Sequence, residues 1–262
     1  MCDKMKLVRV MAILVWLAGS AIAQEVWVFD RLGQIGGHPV TVLGHPRIID
    51  TPAGKAIEFN GVDDGLLIDV HPLAGAETFT WEAIFRPDGG NAEQRWFHLE
   101  ENPATGSDTD NRMLFEIRVI DGQWCLDAFN RSGAVQKALL NRQHLHPLGA
   151  WYHVAAVYDG TEFRSYINGE PDGAAAIHLV PQGAGRTSVG VRINKVFYFK
   201  GAVRMARFTR RALAPEEFWN ARQADPKPDV YAEYLRTPRM SSAAKPGTSA
   251  SARSAFSYSS DR

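Results

Sequence analysis

Cysteine is almost absent from this chain, with two residues among 262, and one of them, Cys2, lies in an N-terminal stretch unlike the rest. A fold left with Cys125 alone cannot staple itself internally, so its core must be large enough to hold without a disulfide. Net charge is lacking too: 29 Lys and Arg balance 29 Asp and Glu. That balance removes the strongly basic signature of a nucleic-acid binder. Beyond residue 23 no apolar run approaches the roughly 20 residues a membrane-spanning helix needs. A hydrophobic share of 45%, a charged share of 22% and a mean hydropathy of −0.22 exclude a wholly disordered chain and a multi-span membrane protein. What remains is material for one globular domain.

The two ends differ from the body. Lys4, Lys6 and Arg9 precede an apolar run from Val10 to Ala18, and Ala21-Ile22-Ala23 supplies small residues where a signal peptidase reads. Residues 1–23 are therefore expected to be an export signal, cut between Ala23 and Gln24, and the protein extracellular or periplasmic. Ser20 stands where a lipoprotein signal would place cysteine, which argues against a lipid anchor. From Arg236 to Arg262 there is no Leu, Ile or Val; Ser and Ala make up 13 of the 27 residues, and five basic side chains face one acid. Such a segment cannot bury enough apolar surface to offset its ordering entropy, so residues 223–262 are expected to be a Pro-rich linker and a disordered basic tail. The zero net charge thus divides into +2 in the leader, −6 in the body and +4 in the tail.

Within the body, apolar residues recur at period two in short runs separated by turn residues, the mark of strands. Phe79, Trp81, Ala83 and Phe85 share one face of a run, as do Met113, Phe115, Ile117 and Val119 of another. Asp121-Gly122 joins the latter to Trp124–Phe129, a strong hairpin signal, and Asp159-Gly160 and Asn168-Gly169 mark further turns. About a dozen such runs, among them Ser188–Asn194 and Val196–Phe199, predict an all-β sandwich of two packed antiparallel sheets, because a single open sheet of that size leaves a face uncovered. One short C-terminal helix is expected, with Pro215 at its first position, Glu216 and Glu217 in the first turn, and Phe218 and Trp219 docking on the sandwich. Trp81 and Trp151 are read as inward side chains, Cys125 as a small buried hydrophobe, and His153, in phase with Trp151 and Ala155, as a histidine bonded to a neighbouring strand.

These pieces carry a resemblance. Phe59-Asn60-Gly61-Val62-Asp63-Asp64, Phe79-Thr80-Trp81-Glu82, Trp151-Tyr152-His153-Val154-Ala155, Tyr166-Ile167-Asn168-Gly169, Phe199-Lys200-Gly201-Ala202-Val203 and Ala212-Leu213-Ala214-Pro215-Glu216-Glu217 resemble, in order, the laminin-G-like domains of the concanavalin A-like lectin/glucanase superfamily. The resemblance covers nearly all of Val26 to Arg222. It implies a jelly-roll domain over residues 24–222 with one concave sheet, usually a secreted module that binds carbohydrate or protein. Fold alone does not name the ligand.

Three constellations are candidates for chemistry. Glu82, Glu116, Arg118, Asp127, Arg164, Tyr166, Arg192 and Asn194 point away from the core in this reading and would line a ligand-binding groove if their strands form the concave sheet, with Trp96 and Tyr198 as aromatic rims. Cross-strand ion pairs on a solvated face account for the same residues. Catalysis on that groove is the lesser reading. The acidic strand of laminarinase-type glycosidases, Glu-x-Asp-x-x-Glu or Glu-x-Asp-x-Glu, is missing, and Arg118 stands where its middle acid belongs. A polysaccharide lyase would use Arg118 to neutralise a uronate and His98 or Tyr198 for proton transfer. The expectation is a non-catalytic module with a carbohydrate or protein partner and no nucleic acid; the alternatives are a lyase or glycosidase and a structural envelope protein. Asn60, Asp63 and Asp64 in one turn, and Asp108 and Asp110 in another, offer oxygen donors of the kind Ca2+ takes, although plain turn chemistry selects the same residues. Asn130-Arg131-Ser132 is a formal glycosylation sequon.

Overall fold

A computed structural model describes residues 24–102 and 111–219. The expected leader up to Ala23, the linker and basic tail, and Asp108 and Asp110 lie outside the described residues; Gln24 opens the first strand. Two eight-stranded antiparallel sheets pack face to face, as the alternating pattern requires. The first runs from Glu170–Ala176 through Glu162–Ile167, Tyr152–Tyr158, Phe79–Pro87, Lys200–Thr209 and Gly54–Asn60 to Arg47–Thr51, and Gln24–Val28 also pairs with Lys200–Thr209. The second runs from Val135–Leu140 through Gln123–Ser132, Arg112–Ile120, Glu93–Glu101, Gly185–Val189 and Gly65–Ile68 to Thr41–Leu43, and His146–Pro147 pairs with Gln123–Ser132.

Between the sheets lies an aromatic core. Trp96 stacks on Phe85 with ring centroids 4.2 Å apart and on Phe115 at 5.4 Å, while Phe97 meets Trp81 edge-on at 5.0 Å. Geometry of this kind adds to the burial of large apolar area, which replaces the missing disulfide. Cys125 is buried and its thiol is pushed up by burial, consistent with an inert side chain. The turns behave as their residues dictate: Asp121 and Gly122 adopt φ of 48° and 75°, Asn168 and Gly169 φ of 52° and 82°, the left-handed pairs that fit a right-twisted hairpin. Asn130 is only 1% exposed, so the sequon is closed in the folded domain.

Several expectations need correction. The Glu93–Glu101 strand lacks clean alternation because its pairing with Arg112–Ile120 slips at Phe115/Glu116, so that Trp96 and Phe97 both join the core. Trp96 is therefore fully buried and forms no groove rim. Residues 190–199 are not strand: Gly190, Lys195 and Phe197 have φ of 81°, 61° and 59°, and the segment is a loop. The C-terminal helix shrinks to a 3-10 turn over Pro215–Glu217, because Phe218 turns to an extended conformation. Trp151 is not in the central core; it packs on the outside of the first sheet with Ile84, Met205 and Trp219.

That outer face is covered. Leu213 and Phe218 seat against Ala155, Val157 and Tyr166, and Trp219 against Ile84 and Met205. Beneath them Glu82, fully buried, accepts hydrogen bonds from His153 Nε2 at 3.0 Å, from the Trp219 backbone N–H at 2.8 Å and from Arg207 Nε. His153 is thus bonded to the neighbouring strand, as its phase predicts. Burial pushes the Glu82 carboxyl up, but His153 and Arg207 outweigh it and hold the group below its usual range. A depressed carboxyl contributes stability above its unfolded value and loses it as pH falls through the folded one. Glu82→Ala is expected to cost about 3–5 kcal/mol in denaturant unfolding, since it strands Arg207 in the interior, and Glu82→Gln to flatten the loss of stability below about pH 4.5.

Candidate functional site

Among the described residues, the outer face of the second sheet is open beside the 190–199 loop. At its centre lies a depression of about 270 Å³ lined by Arg95, Arg112, Leu114, Glu116, Arg118, Asp127, Phe129, Gln136, Ala138 and Arg192. Residues 112, 114, 116 and 118 alternate outward on one strand, and 127 and 129 do the same on the next, with Glu116 directly opposite Asp127. The shift that sends Trp96 inward also sets Arg95 opposite Glu116.

The floor is a charge network. Arg118 donates from Nη1 to Glu116 at 3.1 Å and from Nη2 to Asp127 at 2.7 Å, and Arg95 Nε donates to the other Glu116 oxygen at 3.1 Å. The Arg95 guanidinium also lies 3.6 Å over the Phe197 ring, a cation–π contact that pins its plane. Burial raises the Asp127 carboxyl to about 6, and the Glu116 charge adds to the effect against the pull of Arg118 and Arg95. Glu93 adds longer pairs, at 3.7 Å to Arg95 and 3.8 Å to Arg118. Arg192, half-buried, forms no ion pair with any described residue.

Arg192 is placed by the 190–199 loop. The Gly190 N–H donates to the Trp96 carbonyl, the Arg95 N–H to the Phe197 carbonyl and the Phe199 N–H to the Gly190 carbonyl, tying the loop to the Glu93–Glu101 strand. Phe199 is buried, whereas Phe197 remains exposed over Arg95.

The structure brings Glu116, Arg118, Asp127 and Arg192 together and separates the rest of the predicted set. Glu82 lies under the C-terminal segment, Tyr166 packs edge-on against Phe218 at 5.1 Å, and Arg164 pairs with Asp159 and Glu162, all on the first sheet. Asn194 and Tyr198 stand on the 190–199 loop but are not among the residues lining the depression. His98 is 1% exposed, its Nδ1 accepts the Ile193 N–H, and burial followed by nearby arginines holds the ring well below its ordinary pKa. Arg95 and Arg112 went unread because the slipped register hides the parity of one, and the other sits at a strand end.

The oxygen-rich turn is committed internally. Asn60 Oδ1 accepts the N–H groups of Val62, Asp63 and Asp64, Asn60 Nδ2 donates to Asp63, and the Asp64 carboxylate accepts the His45 and Asn60 N–H groups at 2.7 and 2.9 Å. These bonds are those of a turn that closes on itself.

Against known families, the match over residues 60–218 is to a laminin-G family of the concanavalin A-like lectin/glucanases superfamily. The chain belongs to that superfamily. Among curated proteins, none matches the sequence. Solved structures share the fold. Domain 4 of a GH43 extracellular arabinanase from Geobacillus stearothermophilus, in complex with arabinotriose, superposes with a TM-score of 0.58 at 20% identity, covering 74% of this chain and 94% of that one. The receptor-binding domain of a botulinum neurotoxin C/D mosaic serotype gives 0.56 at 12%, over 74% of this chain and 49% of the other. A Trypanosoma rangeli sialidase in complex with the inhibitor DANA gives 0.52 at 13%, over 74% and 31%. This superfamily member therefore has a fold found both in binding domains and in larger enzymes.

Gly190 holds the loop in place: a Cβ there would overlap the Phe59 ring, and its φ of 81° disfavours any side chain. Gly190→Ala is expected to lower the melting temperature by several degrees, and spectra sensitive to aromatic packing should report the disturbance at Phe59.

Proposed function

We propose that this laminin-G-type domain is an exported, non-catalytic binding module that takes a glycan bearing carboxylate groups on the open face of its second sheet. One observation carries the reading: Arg192 reaches the depression with no carboxylate partner among the described residues, beside a floor whose carboxylates are already engaged by Arg95 and Arg118. A planar guanidinium matches a carboxylate in bidentate fashion, and a partly desolvated site strengthens that pair. Phe129 and Phe197 supply apolar surface near the charges, with Phe129 among the lining residues. The export motif and the absence, among the described residues, of a helix long and apolar enough to cross a membrane accord with a secreted module.

Binding without catalysis is supported by how the titratable groups are used. Glu116 and Asp127 both close on Arg118, and His98, on the same outer face, is sealed beneath the 190–199 loop with Nδ1 occupied by the Ile193 N–H. General acid and base groups must reach a substrate proton; here Arg118 holds an oxygen of each carboxylate and the loop covers His98.

Titration of the purified full chain with oligouronates, alongside neutral oligosaccharides of equal length, tests the reading. Acidic oligomers are expected to bind at least ten-fold more tightly, and Arg192→Ala to remove most of the difference without changing the melting temperature. Equal affinity for neutral and acidic sugars, or binding indifferent to Arg192→Ala, would overturn it. The pH dependence has a definite sign. Asp127 takes up a proton as pH falls through about 6, removing a negative charge from the site. Affinity for the acidic oligomer is therefore expected to rise several-fold from pH 7.5 to pH 5, and Asp127→Asn to abolish the rise.

A further inference from the structure

Away from the depression, at the edge of the sandwich where the two sheets meet, a second cluster joins residues of opposite layers. Residues 141–147 lead into the short strand His146–Pro147, which pairs with Gln123 and Trp124 of the second sheet. Asp172 lies on Glu170–Ala176, the edge strand of the first. The two edges touch beside it, since a Cβ on Gly173 would lie 3.2 Å from Leu139.

His144 Nδ1 lies 2.7 Å from Asp172 Oδ1, and the His144 and His146 rings are 4.8 Å apart between centroids. One candidate ligand atom from each of His144, His146 and Asp172 lies within 4.8 Å of the other two. A tetrahedral ion with bonds of about 2.0–2.1 Å holds its ligand atoms roughly 3.3 Å apart, so small side-chain rotations bring the three into range. An ordinary ion pair accounts for His144 and Asp172 but leaves His146 unexplained. Its Nε2 is buried with no hydrogen-bond partner among the described residues, and buried polar atoms ordinarily find one.

The supporting contacts are those of a built site. The His146 ring is fixed against Trp124 at 5.2 Å and Tyr152 at 5.7 Å, and the Tyr152 hydroxyl donates to the Pro147 carbonyl at 2.7 Å. Ser165 Oγ donates to Asp172 Oδ2 at 3.4 Å, orienting the carboxylate. The Asp172 side chain is 1% exposed and that of His144 is 42% exposed, so His144 forms the solvent side through which an ion enters.

We propose that His144, His146 and Asp172 bind a divalent transition ion of the zinc class, with a water completing the shell, and that the ion ties the two sheets together at their edge. Two imidazoles with one carboxylate suit Zn2+ and its neighbours, while Ca2+ and Mg2+ prefer oxygen throughout. An ion held by both sheets binds the folded state alone and must raise its stability.

The test uses the full chain without a histidine tag, stripped with chelator and titrated with ZnCl2 by calorimetry and thermal melting. One equivalent of zinc is expected to bind with micromolar or tighter affinity and to raise the melting temperature by about 5 °C at saturation, with no shift from CaCl2. His146→Phe, which keeps a ring against Trp124 and Tyr152, and His144→Gln, at a solvent-accessible position, are each expected to fold normally, weaken zinc at least ten-fold and lose the thermal shift. No thermal shift with 1 mM zinc in the unmodified chain, or zinc binding retained by both variants, would overturn the proposal.

Discussion

The buried carboxylate of Glu82 is the contact on which the covered face of this sandwich depends. It sits at the middle of the first sheet, on a strand flanked by Tyr152–Tyr158 and Lys200–Thr209, and takes one bond from each of these neighbours, through His153 and Arg207. Its remaining capacity goes to the Trp219 backbone N–H, which belongs to the segment lying across the sheet. A charge removed from water must find its partners in the protein, and here the cover completes the set. Phe218, Leu213 and Trp219 then bury the apolar surface around it. The centre of the first sheet's outer face is covered by this arrangement.

The second sheet carries the same residue types to a different end. Glu116, Asp127, Arg118 and Arg95 pair with one another laterally across adjacent strands rather than with a covering segment. Lateral pairing leaves the face open while keeping its charges rigid. It also leaves Arg192, carried in on a loop, outside the network. The zinc-class site at the edge belongs to neither face. It joins the layers at their edge, in a domain with no disulfide among its described residues.

Much of this was legible in sequence because strand pleating is local. The faces of Phe79–Pro87 and Arg112–Ile120 follow from alternation, and Phe115 inward with Glu116 outward is what the pattern dictates. Asp121-Gly122 and Asn168-Gly169 adopt the positive φ their residue types favour. Alternation fails where the backbone departs from strict pairing. The slipped register beside Phe115 turns Trp96, an apparent outward aromatic, into the centre of the core, and the positive φ values at Lys195 and Phe197 make a loop of what reads as strand.

By itself, the sequence determined the all-β class, the two-layer packing, the hairpin turns and which side of its own strand each side chain of Glu116, Arg118, Asp127 and Glu82 occupies. These follow from period-two geometry and turn chemistry, which act over a few residues. Only the tertiary structure decided that Glu82 and Arg164 belong to a different sheet from Glu116 and Arg118, that the Phe218–Trp219 segment closes one face, and that His146 meets Asp172 across the sandwich edge. Strand order and segment docking depend on contacts between residues far apart in the chain, and alternation along one strand carries no information about which neighbour it will find.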